Sequence, residues 1–257
     1  MERENERMET HLTFEEIQNK IEHIQRNYEI DEDKFYQIVE KWSDQDLETE
    51  DKLLASFSEL LEQVSYEINR MEETAEMKAT CRMGCAFCCY FPIIINEMEA
   101  KLMKKAIEKF PTDRKLAIQS HLSAYYATYG EKIKQLTSVD FESSEAVKYN
   151  YRKSLLPCPM LNTETNQCMA YEIRPIPCRT YMNYTDPKVC EENLMPKETI
   201  SFEFLYEQYM GALNEFLQFL YEEEGTAFIE YPNDVYAHDY LANWFQEDSN
   251  SAGLTEI

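Results

Sequence analysis

Glycine is scarce in this sequence of 257 residues, which contains only five. Many phosphate-binding loops depend on glycine, because the backbone must turn tightly and approach the ligand closely there. The sequence contains no P-loop, no dinucleotide-binding fingerprint and no Ser-His-Asp arrangement. Ordinary kinase, dehydrogenase and hydrolase chemistry are therefore not expected.

Long apolar stretches are missing as well. FPIII at residues 91–95 is among the longest, and it is far too short to span a bilayer. The first ten residues, MERENERMET, are polar and acidic and contain no apolar signal region. We therefore expect a cytoplasmic protein that does not contact a membrane, in a compartment that keeps thiols reduced.

Positive charge is low and unevenly placed. The net charge is −24, with a balance of −14 in residues 1–80, +4 in 81–190 and −14 in 191–257. Nucleic-acid binding needs a dominant basic surface, so no nucleic-acid partner is expected. The acidic flanks are typical of solvated helix faces, and a protein partner on these flanks is left open.

Helical periodicity dominates outside the cysteine-rich part of the chain. Thr13 and Glu16 form a capping-box pattern, and Leu53, Phe57, Leu60, Leu61, Val64 and Ile68 lie on one predicted helix face. The only strand-like run of note is FPIIIN at 91–96. We predict helices that begin at residue 13, near residue 31 and at residue 96, and helices over 46–74, 112–135, 142–153, 199–222 and around 233–247.

Residues 155–196 differ in composition from the rest of the chain, because they contain six prolines and half of the cysteines. Such irregular chain needs something other than a hydrophobic core to hold it. The predicted fold class is mainly α, with helical flanks around an irregular, metal-stapled cysteine-rich centre. We divide the chain into an acidic helical region (1–79), a cysteine-cluster metal-binding domain (80–196) and a second acidic helical region (197–257).

All eight cysteines lie between residues 81 and 190, and four of them fall in CRMGCAFCCY. In a reducing compartment, such clustering indicates metal or redox chemistry rather than disulfides. Since neighbouring side chains tend to point apart, we expect the adjacent pair to serve different roles. The candidate metal ligands are Cys81, Cys85, Cys88, Cys89, Cys158, Cys168, Cys178 and Cys190.

The spacing Cys81-x3-Cys85-x-Phe87-Cys88 formally matches the radical-SAM signature. That fold needs a long alternation of strands and helices with glycine-rich loops. The sequence has neither the alternation nor the glycines, so the match is taken as coincidental.

A second pattern is more specific. The cysteine quartet, then Cys158-Pro159, then the block from Cys168 to Tyr181 with Tyr-Glu-x-Arg-Pro-x-x-Cys-Arg, resembles the YkgJ-type bacterial cysteine-cluster family. This family is described as a zinc- or iron-chelating CxxCxxCC domain and is related to flagellin N-methylase. The resemblance covers about residues 80–190. One departure is the three residues, rather than the family's common two, between the first two cysteines.

Two arginines of that block, Arg174 and Arg179, are expected to bind the metal group. A guanidinium can pair with the negative charge of a tetrathiolate centre or donate hydrogen bonds to its sulfurs. For Arg174, an ordinary ion pair is an equal alternative. The four histidines lie outside the cysteine-rich segments and are not expected as ligands. Cys190 lies outside the block, so it is expected to matter least among the cysteines.

The nature of the metal follows from the arrangement of the thiols. Eight cysteines suit two closed zinc sites, whereas a tight triplet with a distant Cys-Pro is typical of ferredoxin-type clusters. We favour an iron–sulfur cluster, [4Fe–4S], over zinc, and a redox or enzyme-supporting role. The alternatives are a SAM-dependent protein lysine N-methyltransferase and a zinc-stapled interaction adapter. Whether the protein is an enzyme stays open.

Overall fold

A computed structural model describes residues 11–138, 145–224 and 226–246, and this part of the chain is mainly helical, as predicted. The longer helices are α1 (Phe14–Asn27), α2 (Glu32–Ser43), α3 (Thr49–Thr74), α4 (Glu97–Glu108), α5 (Thr112–Thr137), α6 (Glu145–Lys153) and α9 (Leu205–Glu223). The short helices are α7 (Ile176–Thr180), α8 (Lys188–Glu192), α10 (Asn233–Tyr236), α11 (Leu241–Trp244) and the 3₁₀ helices Phe87–Tyr90 and Tyr171–Ile173. Within the described ranges, no helix is both long and apolar enough to cross a bilayer.

The strands form three small antiparallel pairs. They are β1 (Ile94–Asn96) with β6 (His238–Tyr240), β2 (Leu161–Asn162) with β3 (Gln167–Cys168), and β4 (Tyr181–Met182) with β5 (Ile200–Ser201). Each pair joins parts of the chain around the cysteine-rich region. The strands therefore form short local pairings and no extended sheet among the described residues.

Two helices begin with a capping box; the sequence predicts the box at α1, and for α4 it predicts only the start at residue 96. At α1, the Glu16 N–H donates to Thr13 Oγ1 (3.3 Å), and the Thr13 N–H donates to the Glu16 carboxylate (2.8 Å). At α4, Asn96 and Glu99 make the same reciprocal pair. Each box satisfies backbone donors that a helix start would otherwise leave unpaired.

The apolar stripe of α3 lies in the core, as its spacing predicts. Its six predicted residues are all buried, and α3 packs against α2, α9, α4 and α7. Buried residues from all three segments of the chain form one hydrophobic cluster. The acidic N-terminal and C-terminal segments thus pack on each other and on the cysteine-rich part. The division into three domains stays a prediction.

The C-terminal part differs from the predicted helix around 233–247. The structure forms α10, the strand β6 and α11 there, while residue 247 lies outside the described residues. β6 pairs with β1, and the Leu241 N–H donates to the Ile93 carbonyl (2.8 Å). The backbone groups of β1 need partners, and this distant segment provides them.

Two other predicted helices also have different starts. The helix predicted over 199–222 begins only at residue 205, because residues 200–201 pair with β4. Residues 142–144, at the start of the helix predicted over 142–153, lie outside the described residues.

A buried carboxyl on α4 gives the fold a pH dependence. Glu99 is 1% exposed, and burial raises the pKa of its carboxyl from 4.5 to about 7, although hydrogen bonds from the Asn96 N–H and Tyr206 work against this. The folded protein therefore holds this proton between about pH 4.5 and pH 7, where the unfolded chain releases it. Stability falls as the pH rises through that window.

We expect Glu99→Gln to remove this dependence, because the amide cannot ionise and still supports a capping box. The variant should match the wild type at pH 5 and be more stable at pH 8, by roughly 1–3 kcal/mol. Urea unfolding at both pH values measures this. Glu108→Gln, on the exposed end of the same helix, is the control and should show no such difference. A Glu99→Gln variant less stable than the wild type at pH 8 would contradict the assignment.

Candidate metal centre

The first cysteine segment is a tight loop. Gly84 has a φ of +91°, a conformation that favours glycine, and it allows the turn before Cys85. The Asn183 N–H donates to the Cys81 sulfur (3.3 Å). The Thr80 N–H donates to the Asn183 carbonyl (2.8 Å). The start of the loop is thereby fixed to the chain that leads into α8.

Two distal cysteines meet on the β2–β3 hairpin. Leu161 pairs with Cys168 across the hairpin, and the Leu161 N–H donates to the Cys158 carbonyl (3.0 Å). The Cys158 N–H donates to the Cys89 carbonyl (2.7 Å). This last bond joins the hairpin directly to the first cysteine segment.

The remaining two cysteines lie on short helices. Cys178 is on α7, directly before β4, and Cys190 is on α8. α8 packs against the 3₁₀ helix that carries Cys88 and Cys89. The structure therefore gathers both cysteine segments into one region.

A cavity of about 1060 Å³ lies at this region. Its lining is largely apolar, with Phe91, Tyr181 and Phe204 among the side chains, and it also includes Arg174 and His238. His238, which the sequence gave no reason to associate with the cysteines, reaches the cavity through β6. The cysteines on the lining are Cys81, Cys85, Cys88, Cys89, Cys158, Cys168 and Cys178.

Backbone N–H groups are directed at several of the sulfurs. Such donors stabilise a thiolate and lower its pKa, against the effect of burial. The effect of burial is larger than the effect of these donors, and it raises the pKa of Cys81 to about 11 and of Cys158 to about 12. The donors are the N–H groups of Asn183 to Cys81, Phe87 to Cys85, Met160 and Leu161 to Cys158, and Ala170 to Cys168.

The adjacent thiols of Cys88 and Cys89 contact each other. A hydrogen bond between them lowers the pKa of Cys88 and raises that of Cys89. The different roles expected for the two thiols stay a prediction. The pair lies in a 3₁₀ helix, where successive side chains are closer in direction than in extended chain.

Arg174 lies near the thiols, and its binding of a metal group stays a prediction. It lines the cavity, and its guanidinium lies 4.2 Å from the centre of the Tyr171 ring. Its positive charge acts to lower the pKa of thiols that burial raises, such as Cys81 and Cys168. Arg174 Nε is buried, and no described residue forms a hydrogen bond with it.

Arg152 is a functional candidate that the sequence analysis missed. It is 4% exposed, its guanidinium lies 5.3 Å from the centre of the Phe91 ring, and its Nε is also buried without a described partner. Its charge acts to lower the pKa of Cys88 and Cys190. No carboxylate among the described residues forms an ion pair with Arg152 or Arg174. The only signal in the sequence was the position of Arg152 six residues before Cys158.

Arg179 has a different set of contacts. It is buried but does not line the cavity. Its Nε donates to the Arg174 carbonyl (2.8 Å), one terminal nitrogen donates to Ser65 Oγ (2.8 Å), and the other donates to the Glu172 carbonyl. These bonds fasten the loop before α7 to α3. Contact of Arg179 with a metal group stays a prediction.

The chemistry of the described residues suits an anionic metal group. Their side chains, however, do not converge on a single position. No three of their His, Cys, Asp or Glu side chains are positioned to hold a metal ion as they stand. That a metal holds the cysteine-rich centre together is therefore a proposal. The fit rests on eight thiols, on the N–H donors directed at sulfur, and on the buried Arg152 and the cavity-lining Arg174, neither of which has a carboxylate partner among the described residues.

Comparison with known proteins agrees with this chemistry. A family model described as "CxxCxxCC: Putative zinc- or iron-chelating domain" matches residues 80–199. This confirms the resemblance to the cysteine-cluster family, and the match nearly coincides with the predicted metal-binding segment. No curated protein and no solved structure matches the chain. The family match supports binding of zinc or iron in general.

Proposed function

We propose that this protein binds an iron–sulfur cluster through its cysteine thiolates, and that the cluster has a redox or enzyme-supporting role. The observation that carries the proposal is the buried guanidinium of Arg152, together with that of Arg174 on the cavity lining; both lie among the thiols without a described carboxylate partner. A buried cation without an anion is costly, by several kcal/mol in proteins. The structure thus needs negative charge at the position of the thiols.

A metal centre supplies that charge. Neutral thiols carry none, and burial keeps most of these thiols protonated by raising their pKa. Metal binding displaces the protons, since the thiolate is the ligand form. Four thiolates around Zn²⁺ or around an oxidised [4Fe–4S] core leave a net charge of about −2. The arginines then pair with an anion instead of lying isolated.

The cavity favours a cluster with a functional role. Structural zinc sites are closed on all sides by their ligands. Here most of the cysteines border an apolar space of about 1060 Å³, which is at the upper end of the range for small-molecule sites. A cluster at this wall would be accessible to a substrate or a redox partner. His238 and Lys148 supply polar groups on the same lining.

Metal analysis of anaerobically purified protein tests the proposal. We expect a brown protein with broad thiolate-to-iron absorption near ~400 nm that bleaches with dithionite. Iron, sulfide and zinc should be measured on the same sample. Cys158→Ser/Cys168→Ser is the comparison variant and should lose most of the colour. A colourless protein with stoichiometric zinc would replace the iron–sulfur assignment, and a protein with neither metal would overturn metal binding.

The same preparation separates the alternative functions. A zinc-stapled adapter would contain zinc without colour and would retain a protein partner on its acidic flanks. A protein lysine N-methyltransferase would transfer label from SAM to a protein substrate. We expect no such transfer, since the sequence offers no glycine-rich SAM-binding loop.

A further inference from the structure

We propose that the open edge of β1 binds an extended segment of a partner protein, which adds a strand beside Ile94 and lies in the cavity next to the cysteines. This surface is separate from the acidic flanks, and its use does not depend on which metal the thiols hold. In strand addition, backbone hydrogen bonds give affinity, and pockets for alternate side chains give specificity.

The hydrogen bonds between β1 and β6 are made by alternate residues. The Leu241 N–H donates to the Ile93 carbonyl (2.8 Å). Four residues further along β1, the Glu97 N–H donates to the Ala237 carbonyl (2.9 Å). In an antiparallel pair such bonds recur at every second residue, and Ile94 occupies one of the positions between them. The N–H and C=O of Ile94 therefore point away from β6, to the opposite edge of β1.

The backbone of Ile94 is open on that edge. Within the described part of the chain, no backbone or side-chain group forms a hydrogen bond with its N–H or C=O. Asn96, the next residue on the same edge, is satisfied, because its N–H donates to the Glu99 carboxylate (3.3 Å). Ile94 is half-buried, and partly buried backbone groups normally have partners. An added strand would supply a donor and an acceptor at once.

The cavity reaches this edge of the chain. Four consecutive residues, Phe91, Pro92, Ile93 and Ile94, are on its lining. Successive side chains of extended chain point to opposite faces, so the cavity borders the edge of the segment and not one face alone. Pro92 cannot donate a hydrogen bond, which is typical of an edge strand.

The second strand on the lining is less available. β4 contributes Tyr181 and Met182 to the cavity. Its edge away from β5 is partly covered, because the Asn183 carbonyl accepts from the Thr80 N–H (2.8 Å) and the Asn183 N–H donates to the Cys81 sulfur (3.3 Å). β1 is therefore the edge to which a new strand can pair.

The size and the lining of the cavity suit a peptide with apolar side chains. Its volume of about 1060 Å³ is slightly above the ~300–1,000 Å³ of small-molecule sites. The rings of Phe91 and Tyr181 lie 5.6 Å apart, and Met182 and Met195 are also on the lining. Methionine adapts to different apolar side chains. We therefore expect an alternation of apolar and polar residues in the bound segment, with the apolar ones directed into the cavity.

Peptide selection on the full chain tests the strand addition, with iron and zinc measured on the same preparation. The probe is a phage-displayed library of short random peptides, and selected sequences are synthesised with capped ends for binding by fluorescence anisotropy. We expect enriched sequences with alternating apolar and polar residues. N-methylation of the peptide backbone, one residue at a time, should weaken binding about tenfold at every second residue and much less in between, because only alternate N–H groups face β1.

A variant of the protein removes the matching donor. Ile94→Pro lacks the N–H on the open edge and keeps the bonds of Ile93 and Glu97 that hold β6. It should weaken peptide binding by about tenfold. Ile94→Val is the matched control, because it trims the side chain and keeps the N–H, and it should bind the peptide nearly as well as the wild type. Urea unfolding checks both folds, and the N-methylation series on the wild type stands even if Ile94→Pro does not fold.

The outcomes separate strand addition from metal binding. A metal-loaded protein that enriches no peptide would overturn the strand addition and leave metal binding intact. Peptides that bind Ile94→Pro as tightly as the wild type, without any effect of N-methylation, would also overturn it. A dimer of the wild type that Ile94→Pro dissociates would assign this edge to a second copy of the chain instead of a partner. Peptide binding by a protein without metal would support the strand addition while contradicting the iron–sulfur proposal.

Discussion

Removal of the metal is expected to disorder residues 155–196 while most of the helical signal remains. The regular elements of this region are very short, since β2, β3 and β4 have two residues each and α7 has five. Elements of this length are not stable by themselves in water. On the proposed metal binding, we expect the metal to supply much of the folding free energy there, as it does in small metal-stapled domains.

The long helices are stabilised by packing that does not depend on a metal. α3 buries a continuous apolar stripe against α2 and α9, and most of these contacts do not involve the cysteine-rich region. The N-terminal and C-terminal flanks should thus stay folded after chelation. Far-UV circular dichroism should change little, in contrast to local hydrogen exchange.

Hydrogen exchange on metal-loaded and chelator-treated protein measures the effect. Amides of the β2–β3 hairpin and of α7 should lose at least roughly a hundredfold of protection on chelation, equivalent to about 3 kcal/mol of local stability. Amides in the middle of α3 and α9 are the internal control and should keep theirs. Equal protection across 155–196 with and without metal would mean that the cysteines do not staple this region.

Local signals explain which parts of the fold could be predicted. The caps at Thr13 and Asn96 and the stripe of α3 are read from residues three or four apart, and the structure confirms them. The β6 strand and the late start of α9 depend on pairing with distant segments. No spacing within 200–201 or 238–240 encodes such a partner.

The candidate site shows the same limit. Cysteine spacing was enough to find the ligand candidates and the resemblance to the cysteine-cluster family. The place of Cys190 near the first-segment thiols depends on the packing of α8, which no sequence spacing indicates. The small effect expected for replacement of Cys190 stays a prediction. Arg152 lies in the last turn of α6 beside Lys153, and basic residues at a helix end are usually exposed to solvent. Its burial became visible only with the tertiary structure.

Arg152→Met is expected to weaken metal binding about 10- to 100-fold, the range found for groups that support metal ligands from outside the coordination sphere. Arg152 acts on Cys88 and Cys190 and has no described carboxylate partner. Methionine keeps an unbranched apolar chain against Phe91 and removes only the charge and its hydrogen-bonding groups. Competition with a chelator for Zn²⁺ measures the affinity.

Arg152→Met, which should weaken the metal-bound protein, should not destabilise the metal-free protein. In the chelated protein the guanidinium lacks an anion, and burial lowers the pKa of Arg152, so its charge is a cost to folding. Arg152→Met should therefore leave the free energy of unfolding of the metal-free protein unchanged or raise it. Arg152→Lys should recover part of the metal affinity, because it keeps the charge but not the planar stacking. Lys153→Met, at the exposed neighbouring position, is the control and should change neither quantity. Equal destabilisation of the metal-free and metal-loaded protein by Arg152→Met would show that Arg152 only packs, and would remove the main support for an anionic centre at these thiols.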